Sequence, residues 1–246
     1  MEKNNRGLLI TLIVLLSAVA LLLSGIFTFA LISGTRSFKS FIPMKNQTVF
    51  DESYSSKEIK NIIIDSDAGD IVLKNSDDGE IRLTAEGIKS SGFSADTEGD
   101  VLSITSSESR KMNFFGFNAY RTEIVLYVPD KIDSINITSG FGDVEIEDEL
   151  VTKLTIDNDM GDIDAKKLGG SFDLNTNMGN IDIEKINITA NSKAATNMGD
   201  IDIEKTNEIN IYAKTAMGDC DVKDNTPTAD IILTAETDMG NIEIND

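Results

Sequence analysis

Repeated carboxylates are the residues in this sequence that could do chemistry. Six glycines lie 18 to 22 residues apart, and each is followed by Asp or Asn and, two positions later, by Asp or Glu. Rows of carboxylate oxygens could bind Ca²⁺, which takes six to eight oxygen ligands. The spacing differs from the nonapeptide calcium repeat, so counterions held loosely on a solvated face remain the alternative. The candidate calcium ligands are Asp162, Asp164, Asp182, Asp200, Asp202, Asp219 and Asp221.

Catalytic chemistry has little support in the sequence. The chain contains no histidine, and no arginine follows Arg121, which removes the commonest proton shuttle and the commonest carboxylate clamp. Glycoside hydrolysis needs two carboxylates about 5 to 9.5 Å apart in a cleft, and in so acidic a chain almost any pair meets that distance. We therefore predict no enzyme activity, no catalytic residue and no cofactor. A polysaccharide-acting enzyme on a β-helix is the less favoured alternative.

The elements that position the carboxylates are short strands in a repeat. Apolar residues alternate with polar ones before each glycine and alternate again after it, as in Phe172 and Leu174, then Ile181 and Ile183. This period of two indicates half-buried strands, and glycine suits the corner between them because it adopts positive φ without steric cost. Self-similarity at about 19 residues predicts an all-β fold, a parallel β-solenoid with one coil per repeat. An antiparallel sandwich is the alternative.

Aligned repeats place like residues in columns. One column, directly before the glycines, is apolar, and we expect it to face the core because the strand alternation continues into it. Cys220 aligns with isoleucine and valine, so we expect it to be a small apolar filler rather than a nucleophile. The apolar column comprises Phe141, Met160, Met178, Met198, Met217 and Met239.

The part of the chain before the regular repeats is less uniform. Residues 47–139 are predicted as an irregular β start of the solenoid, and residues 140–246 as its regular repeats. Segment 110–121 is rich in aromatic residues and is predicted either to pack over an open end of the stack or to contact a partner. Its candidate partner-binding residues are Phe114, Phe115, Phe117 and Tyr120. The predicted strands are 62–64, 71–73, 81–84, 101–104, Glu123–Val128 and 135–137.

The N-terminus reads as a membrane anchor. Residues 8–32 are almost wholly apolar, which at 1.5 Å per residue is enough to cross a hydrocarbon core of about 30 Å. We predict a cytoplasmic stub and single transmembrane helix over 1–34, then a linker over 35–46. A cleaved signal, whose apolar region runs about 7 to 15 residues, fits less well. The basic residues on the two flanks do not decide the orientation, and we expect the C-terminal domain to be extracytoplasmic.

The chain is strongly acidic, with a formal net charge of −20. Such a surface repels nucleic acid and acidic lipid headgroups and attracts cations or basic partners. Nucleic-acid binding is therefore excluded. The single cysteine cannot form an intramolecular disulfide, so it says nothing about the redox compartment.

The combined motifs resemble a known bacterial family. LYVP at 126–129, INITSGFGDVEI at 135–146 and the iterated MGDIDI units are similar to the putative adhesins, also described as DUF4097-like β-strand-repeat domains of unknown function. The family includes the membrane-anchored LiaG-like proteins of Gram-positive envelope-stress operons. The resemblance covers about residues 45–246 and implies an extracytoplasmic β-solenoid with no established activity. The aromatic segment departs from it, because that connection is usually polar.

These features together favour a binding or scaffold protein of the cell envelope. We predict a non-enzymatic, membrane-anchored β-repeat protein whose partner is an envelope protein or a wall polymer, with a role in the envelope-stress response as a variant of that function. The alternative is a self-assembling structural surface protein. The last coil is expected to end the stack at Asp246 without a cap, and such an open edge could pair with another copy.

Overall fold

A computed structural model describes residues 48–87, 92–107 and 123–246 of the chain. The predicted anchor over 1–34, the linker over 35–46 and the aromatic segment 110–121 lie outside these residues. Within the described part, no helix is long and apolar enough to span a membrane.

Every regular element of the described residues is a β-strand, as the sequence predicts. The strands are β1 (Thr48–Tyr54), β2 (Asn61–Ser66), β3 (Asp70–Asn75), β4 (Ile81–Glu86), β5 (Phe93–Glu98), β6 (Val101–Ser106), β7 (Glu123–Val128), β8 (Ser134–Phe141), β9 (Val144–Met160), β10 (Ile163–Met178), β11 (Ile181–Ile188), β12 (Ser192–Met198), β13 (Ile201–Lys205), β14 (Asn210–Met217), β15 (Cys220–Val222), β16 (Ile232–Met239) and β17 (Ile242–Asn245).

Successive repeats pair in parallel and in register. Ile163 pairs with Val144 on one side and with Ile181 on the other, and equivalent positions of the repeats align in the same way along the stack. The apolar residues of both strands of a coil point inward and are almost completely buried, for example Leu174 and Ile183. Burying each such side chain contributes about 1.5 to 3 kcal/mol, so the repeats stabilise one another through a continuous core.

The return between repeats is part of a continuous strand. Residues 165–169 belong to β10, which runs from Ile163 to Met178. A bulge between Ala165 and Lys167 shifts the register against β9, and Gly170 has a positive φ of 76°. The chain therefore bends without leaving the sheet, because the bulge and glycine supply the bend locally.

The order of the coils in space is not their order in the chain. β16 pairs with β12 on one side and with β14 on the other, and β17 lies in the same way between β13 and β15. The last coil of the sequence is therefore an interior coil, and β14 and β15 form the outermost one. The expectation that the stack ends in the Asp246 coil is wrong for this reason.

The opposite end of the stack is finished by antiparallel strands. The β2–β3 coil pairs in parallel with β6 and β7 on its outer side, and β5 and β4 then pair antiparallel with these two strands. β1 adds a further antiparallel strand on β4. The strands predicted within 62–137 all fall inside β2, β3, β4, β6, β7 and β8. β1 and β5 were not predicted, because they are mainly polar.

Candidate binding surface

The corner of each coil is built by glycine and by a buried hydroxyl column. A Cβ on Gly179, whose φ is 157°, would lie 2.0 Å from the carbonyl oxygen of Gly161 in the next coil. That carbonyl accepts a hydrogen bond from Thr176 Oγ1 at 3.0 Å, and Thr196 Oγ1 donates to the Gly179 oxygen at 2.9 Å. Glycine is thus required for close approach as well as for φ. The threonine side chains donate to carbonyl oxygens that the corner turns away from the backbone hydrogen bonds between strands.

This polar column, not the apolar one, faces inward at the corner. Its members are at most 4% exposed except Thr215, which is half-buried in the outermost coil. The signal was present in the sequence, since a short hydroxyl or amide side chain recurs two positions before each Met or Phe of the apolar column. The column comprises Ser139, Asn158, Thr176, Thr196, Thr215 and Thr237.

The methionine column lies on the outside, which corrects the sequence expectation. Met160, Met178, Met198 and Met239 are 38 to 41% exposed. The strand alternation that predicted burial stops at the threonine column, because the chain already turns at the residue before glycine. The side chain at that position consequently leaves the core.

The exposed side chains form one continuous stripe, which we call the methionine ladder. It consists, in spatial order, of Phe141, Met160, Met178, Met198, Met239 and Met217. Each pairs in register with the next, so at about 4.8 Å per coil the ladder is roughly 24 Å long. Contiguous exposed apolar surface marks interaction sites, and flexible methionine side chains adapt to varied partners.

The first acidic column, directly after the glycines, holds the corners together. Asp162 Oδ1 accepts a hydrogen bond from the backbone N–H of Asn180 at 2.7 Å, and Asn180 Oδ1 accepts one from Asp200 N–H at 2.9 Å. The pattern continues through Asn241 to Asp219. Asparagine supplies the same acceptor as aspartate, which explains why both residue types occur. The main role of this column in the structure is to pair backbone N–H groups between coils.

The second acidic column has no such backbone role and remains a row of charges. Asp164 pairs in register with Asp182, and Asp182 pairs with Asp202. Burial, and then the neighbouring carboxylates, raise the pKa of Asp164, and the same two causes raise the pKa of Asp202. The column comprises Glu145, Asp164, Asp182, Asp202, Glu243 and Asp221.

The predicted calcium ligands fall on these two columns. Asp162, Asp200 and Asp219 lie in the first column, and Asp164, Asp182, Asp202 and Asp221 lie in the second. Among the residues that the structure describes, no three carboxylate or thiol side chains converge into a group that could hold a metal ion. Calcium binding stays a prediction from the sequence.

Cys220 aligns as expected but is not buried. It pairs in register with Ile242, which is 1% exposed, so it does occupy the apolar column. Cys220 itself is exposed, because its coil is the outermost one and no further coil stacks over it. The expectation that Cys220 fills the core is therefore wrong, because of the order of the coils.

The described strands on either side of the aromatic segment meet the line of the methionine ladder. Ser106 pairs with Ser66, and Glu123 pairs with Asp70. Three residues join Ser66 to Asp70 around Gly69, whereas residues 107–122 make the equivalent connection from Ser106 to Glu123. The connection 107–122 is therefore thirteen residues longer than its counterpart around Gly69. Phe114, Phe115, Phe117 and Tyr120 lie outside the described residues.

An acidic concavity of about 590 Å³ lies at the same end of the ladder. Its lining includes Asp65, Asp67, Asp157 and Asp159 together with the half-exposed Phe141 of the ladder, and it includes no lysine or arginine. In the β2–β3 coil, the position that methionine occupies in other coils is taken by Ala68. The ladder therefore ends beside a surface that favours positively charged groups.

Comparison with known proteins assigns this fold to a family. Residues 59–245 match the family model described as Toastrack DUF4097, so the chain belongs to that family. No curated protein matches the sequence.

The chain also resembles several solved structures at low sequence identity. They include a "putative cell adhesion protein" from Clostridium sporogenes, with 11% identity over 82% of this chain and 99% of that chain and a TM-score of 0.49. A "putative adhesin" from Bacteroides fragilis has 19% identity over 82% and 98%, with a TM-score of 0.47. A "putative lipid binding protein" from Parabacteroides distasonis has 13% identity over 82% and 95%, with a TM-score of 0.36. Similarity at this level carries no argument about function.

Proposed function

We propose that the chain is a non-enzymatic binding module of the cell envelope, anchored in the membrane through residues 8–32 with its β domain outside. The observation that carries this proposal is the methionine ladder. Six in-register apolar side chains are left in solvent along one line of the stack, although an apolar residue at each of these positions is not needed for the buried core. A partner that covers the ladder gives those side chains a role.

The charge of the domain defines the chemistry of the partner. The ladder runs beside two columns that are mostly acidic, and the whole chain carries a net charge of −20. A partner that combines apolar groups with positive charge complements this face. We propose an envelope protein or a cationic wall polymer as that partner, with envelope-stress signalling as the setting in which a membrane protein would fill this role.

Cross-linking in intact cells tests the binding proposal. The double variant Met178→Ser with Met198→Ser should lose the cross-linked partner that the unchanged protein captures, because it removes the centre of the ladder. Tyr212→Ser is the matched control, since Tyr212 is 58% exposed but lies outside the ladder. Equal capture by all three proteins would exclude the ladder. Deletion of residues 113–119 then tests whether the aromatic segment, rather than the ladder, captures the partner.

The proposed location has its own test. Protease added to intact protoplasts should degrade the β domain and leave the anchor with its short N-terminal stub. An internal cytoplasmic protein, digested only after lysis, is the control. Protection of the domain until lysis would reverse the proposed orientation.

A second candidate function, self-association, is favoured by the uncovered outer coil. Among the described residues, β14 pairs with β16 on one side only, and on its other edge the Asn225 side chain pairs with the backbone of Ile211. The edge beyond Ile211 could pair with a second copy. Sedimentation velocity tests this, with Ala213→Pro as the variant that removes an edge N–H, since Ala213 lies two residues after Ile211 and presents its N–H to the same edge. A monomer at all concentrations would exclude self-association.

A further inference from the structure

We infer that the near half of the methionine ladder, consisting of Phe141, Met160 and Met178, is the docking surface for this chain's own segment 108–122. The ladder is exposed, and the described residues on either side of the segment lie in line with it. This contact within the chain goes beyond the proposed function, and it uses the near half of the surface proposed above for the envelope partner.

Register fixes where the segment leaves the fold. Ser106 and Glu123 pair with the two residues that bracket the Ala68 corner, and Phe141 belongs to the corner of the next coil, since Gly69 N–H donates to the Phe141 carbonyl at 2.7 Å. Ser106 and Glu123, between which the segment runs, therefore lie in line with the ladder, two coils from Phe141.

The length of the segment limits which part of the ladder it reaches. Fifteen residues tied at both ends extend about seven residues outward, which is roughly 23 Å at about 3.3 Å per residue. At about 4.8 Å per coil, Phe141 lies roughly 10 Å away, Met178 roughly 19 Å and Met217 roughly 34 Å. The near half is within reach and the far end is not.

The composition of the segment complements this surface. Residues 108–122 carry three basic side chains, Arg110, Lys111 and Arg121, against one acidic side chain, Glu108. The concavity at this end of the ladder is lined by four aspartates and no basic residue. Opposite charge of this kind selects and orients a contact.

The apolar groups match as well. The segment contains four aromatic side chains and Met112, and the near half of the ladder offers Phe141 and two methionine thioethers. Sulfur–aromatic contacts are favourable by about 0.3 to 1.5 kcal/mol each. The neighbouring end of the stack offers less, because β4 and β5 already pair with its edge.

Disulfide trapping in the full chain, held in detergent micelles, tests the inference directly. In a Cys220→Ser background, Phe117→Cys combined with Met160→Cys should form an intramolecular disulfide under mild oxidation. Phe117→Cys with Met239→Cys is the matched control, since Met239 has the same exposure but lies beyond reach. Trapping at 160 and not at 239 supports docking on the near half.

Other results overturn it. Equal trapping at both positions, or at neither, would exclude the near half as the docking surface. Disulfide-linked dimers in place of the intramolecular bond would assign the ladder to the segment of a second copy. Because no envelope partner is present in this experiment, its failure leaves the proposed function untouched.

Proteolysis supplies a second readout that needs no introduced cysteine. Trypsin cleavage at Arg110, Lys111 and Arg121 should accelerate about tenfold when Phe141→Ser and Met160→Ser release the segment, because cleavage follows the population of the open form. The pair Met239→Ser and Met217→Ser should leave the rate unchanged. Equal rates in both double variants would contradict docking.

Discussion

At the residue scale, the corner glycines are held by two constraints at once. Gly179 has a φ of 157° and stands against the backbone of Gly161, whose oxygen would lie 2.0 Å from an added Cβ. Neither Gly179 nor Gly161 can move away without shifting a whole coil, since the contact is between backbones. Glycine therefore recurs in the sequence because both the close spacing of the coils and the geometry of the turn require it.

Substitution of a corner glycine measures this spacing. Gly179→Ala should lower the free energy of unfolding by at least about 3 kcal/mol, because the new methyl group overlaps a backbone carbonyl. Gly79→Ala is the control, since Gly79 also has positive φ but has nothing within 4 Å of the added Cβ. It should cost about 1 kcal/mol for the left-handed backbone alone. Urea denaturation compares the two, and equal losses would mean that close approach plays no part.

The first acidic column allows a test of acceptor against charge. Asp200 Oδ1 accepts a hydrogen bond from the N–H of Asn241 at 2.6 Å. Asp200→Asn should preserve the free energy of unfolding, since the amide oxygen replaces the carboxylate oxygen as Asn180 already does. Asp200→Ala should lower it by about 0.5 to 1.5 kcal/mol, because the N–H loses its partner at an exposed site. Thermal unfolding gives both values. An equal loss in the two variants would show that the charge matters more than the acceptor.

The sequence was enough to align the residues in columns. It was not enough to tell which columns face the core at the corner. Alternation holds only while the chain is extended, and it predicted burial of Met178 because Thr176 and Leu174 are inward. The turn begins at the methionine, so its side chain is 38% exposed. The recurrence of threonine two positions earlier was visible in the sequence. Its carbonyl partner in the next coil was not, because that contact exists only after stacking.

At the element scale, the neighbouring strands β10, β11 and β13 carry carboxylates side by side, in register. Burial raises the pKa of Asp164 and Asp202, and adjacent carboxylates raise it further. A carboxyl group whose pKa is higher in the folded chain binds its proton more tightly there. Its effect on stability is therefore absent well below the unfolded pKa of about 3.9 and becomes a growing penalty as the pH rises above that value.

Neutralising one member of the second column should relieve this penalty. Asp164→Asn should raise the melting temperature at pH 7 and have little effect at pH 4, with a gain below about 1 kcal/mol because the row is largely solvated. Asp238→Asn, on the other side of the ladder, is the control for a general loss of negative charge. Melting curves between pH 4 and pH 7 give the result. A gain that does not change with pH, or that the control reproduces, would contradict the like-charge explanation.

The strands themselves were the most predictable elements. Apolar patterns placed β2, β3, β4, β6, β7 and β8 correctly, because each strand buries two or three apolar side chains. β5 carries one large apolar residue, Phe93, which packs against Phe50 of β1 with ring centroids 5.0 Å apart. Strands that pair on one side and expose most of their length lack the pattern, so β1 and β5 needed the structure to be found.

At the scale of the whole molecule, the coil order is the feature that sequence could not supply. The coils from Phe141 onward carry the same glycine corner and similar inward columns, so each interface suits several neighbours almost equally well. The last coil accordingly lies between β12–β13 and β14–β15. Chain order would have placed it outside them, and no local pattern distinguishes the two arrangements.

Cysteine accessibility tests this order. Cys220 belongs to the outermost coil and is exposed, so it should react with maleimide in the native protein almost as fast as in urea. Ile242→Cys, made in a Cys220→Ser background, places a thiol at the same column position in the interior coil, where Ile242 is 1% exposed. That thiol should react only after unfolding, because a coil lies on each side of it. The reverse pattern, a protected Cys220 and a reactive thiol at 242, would restore the order of the chain and leave Asp246 at the open end.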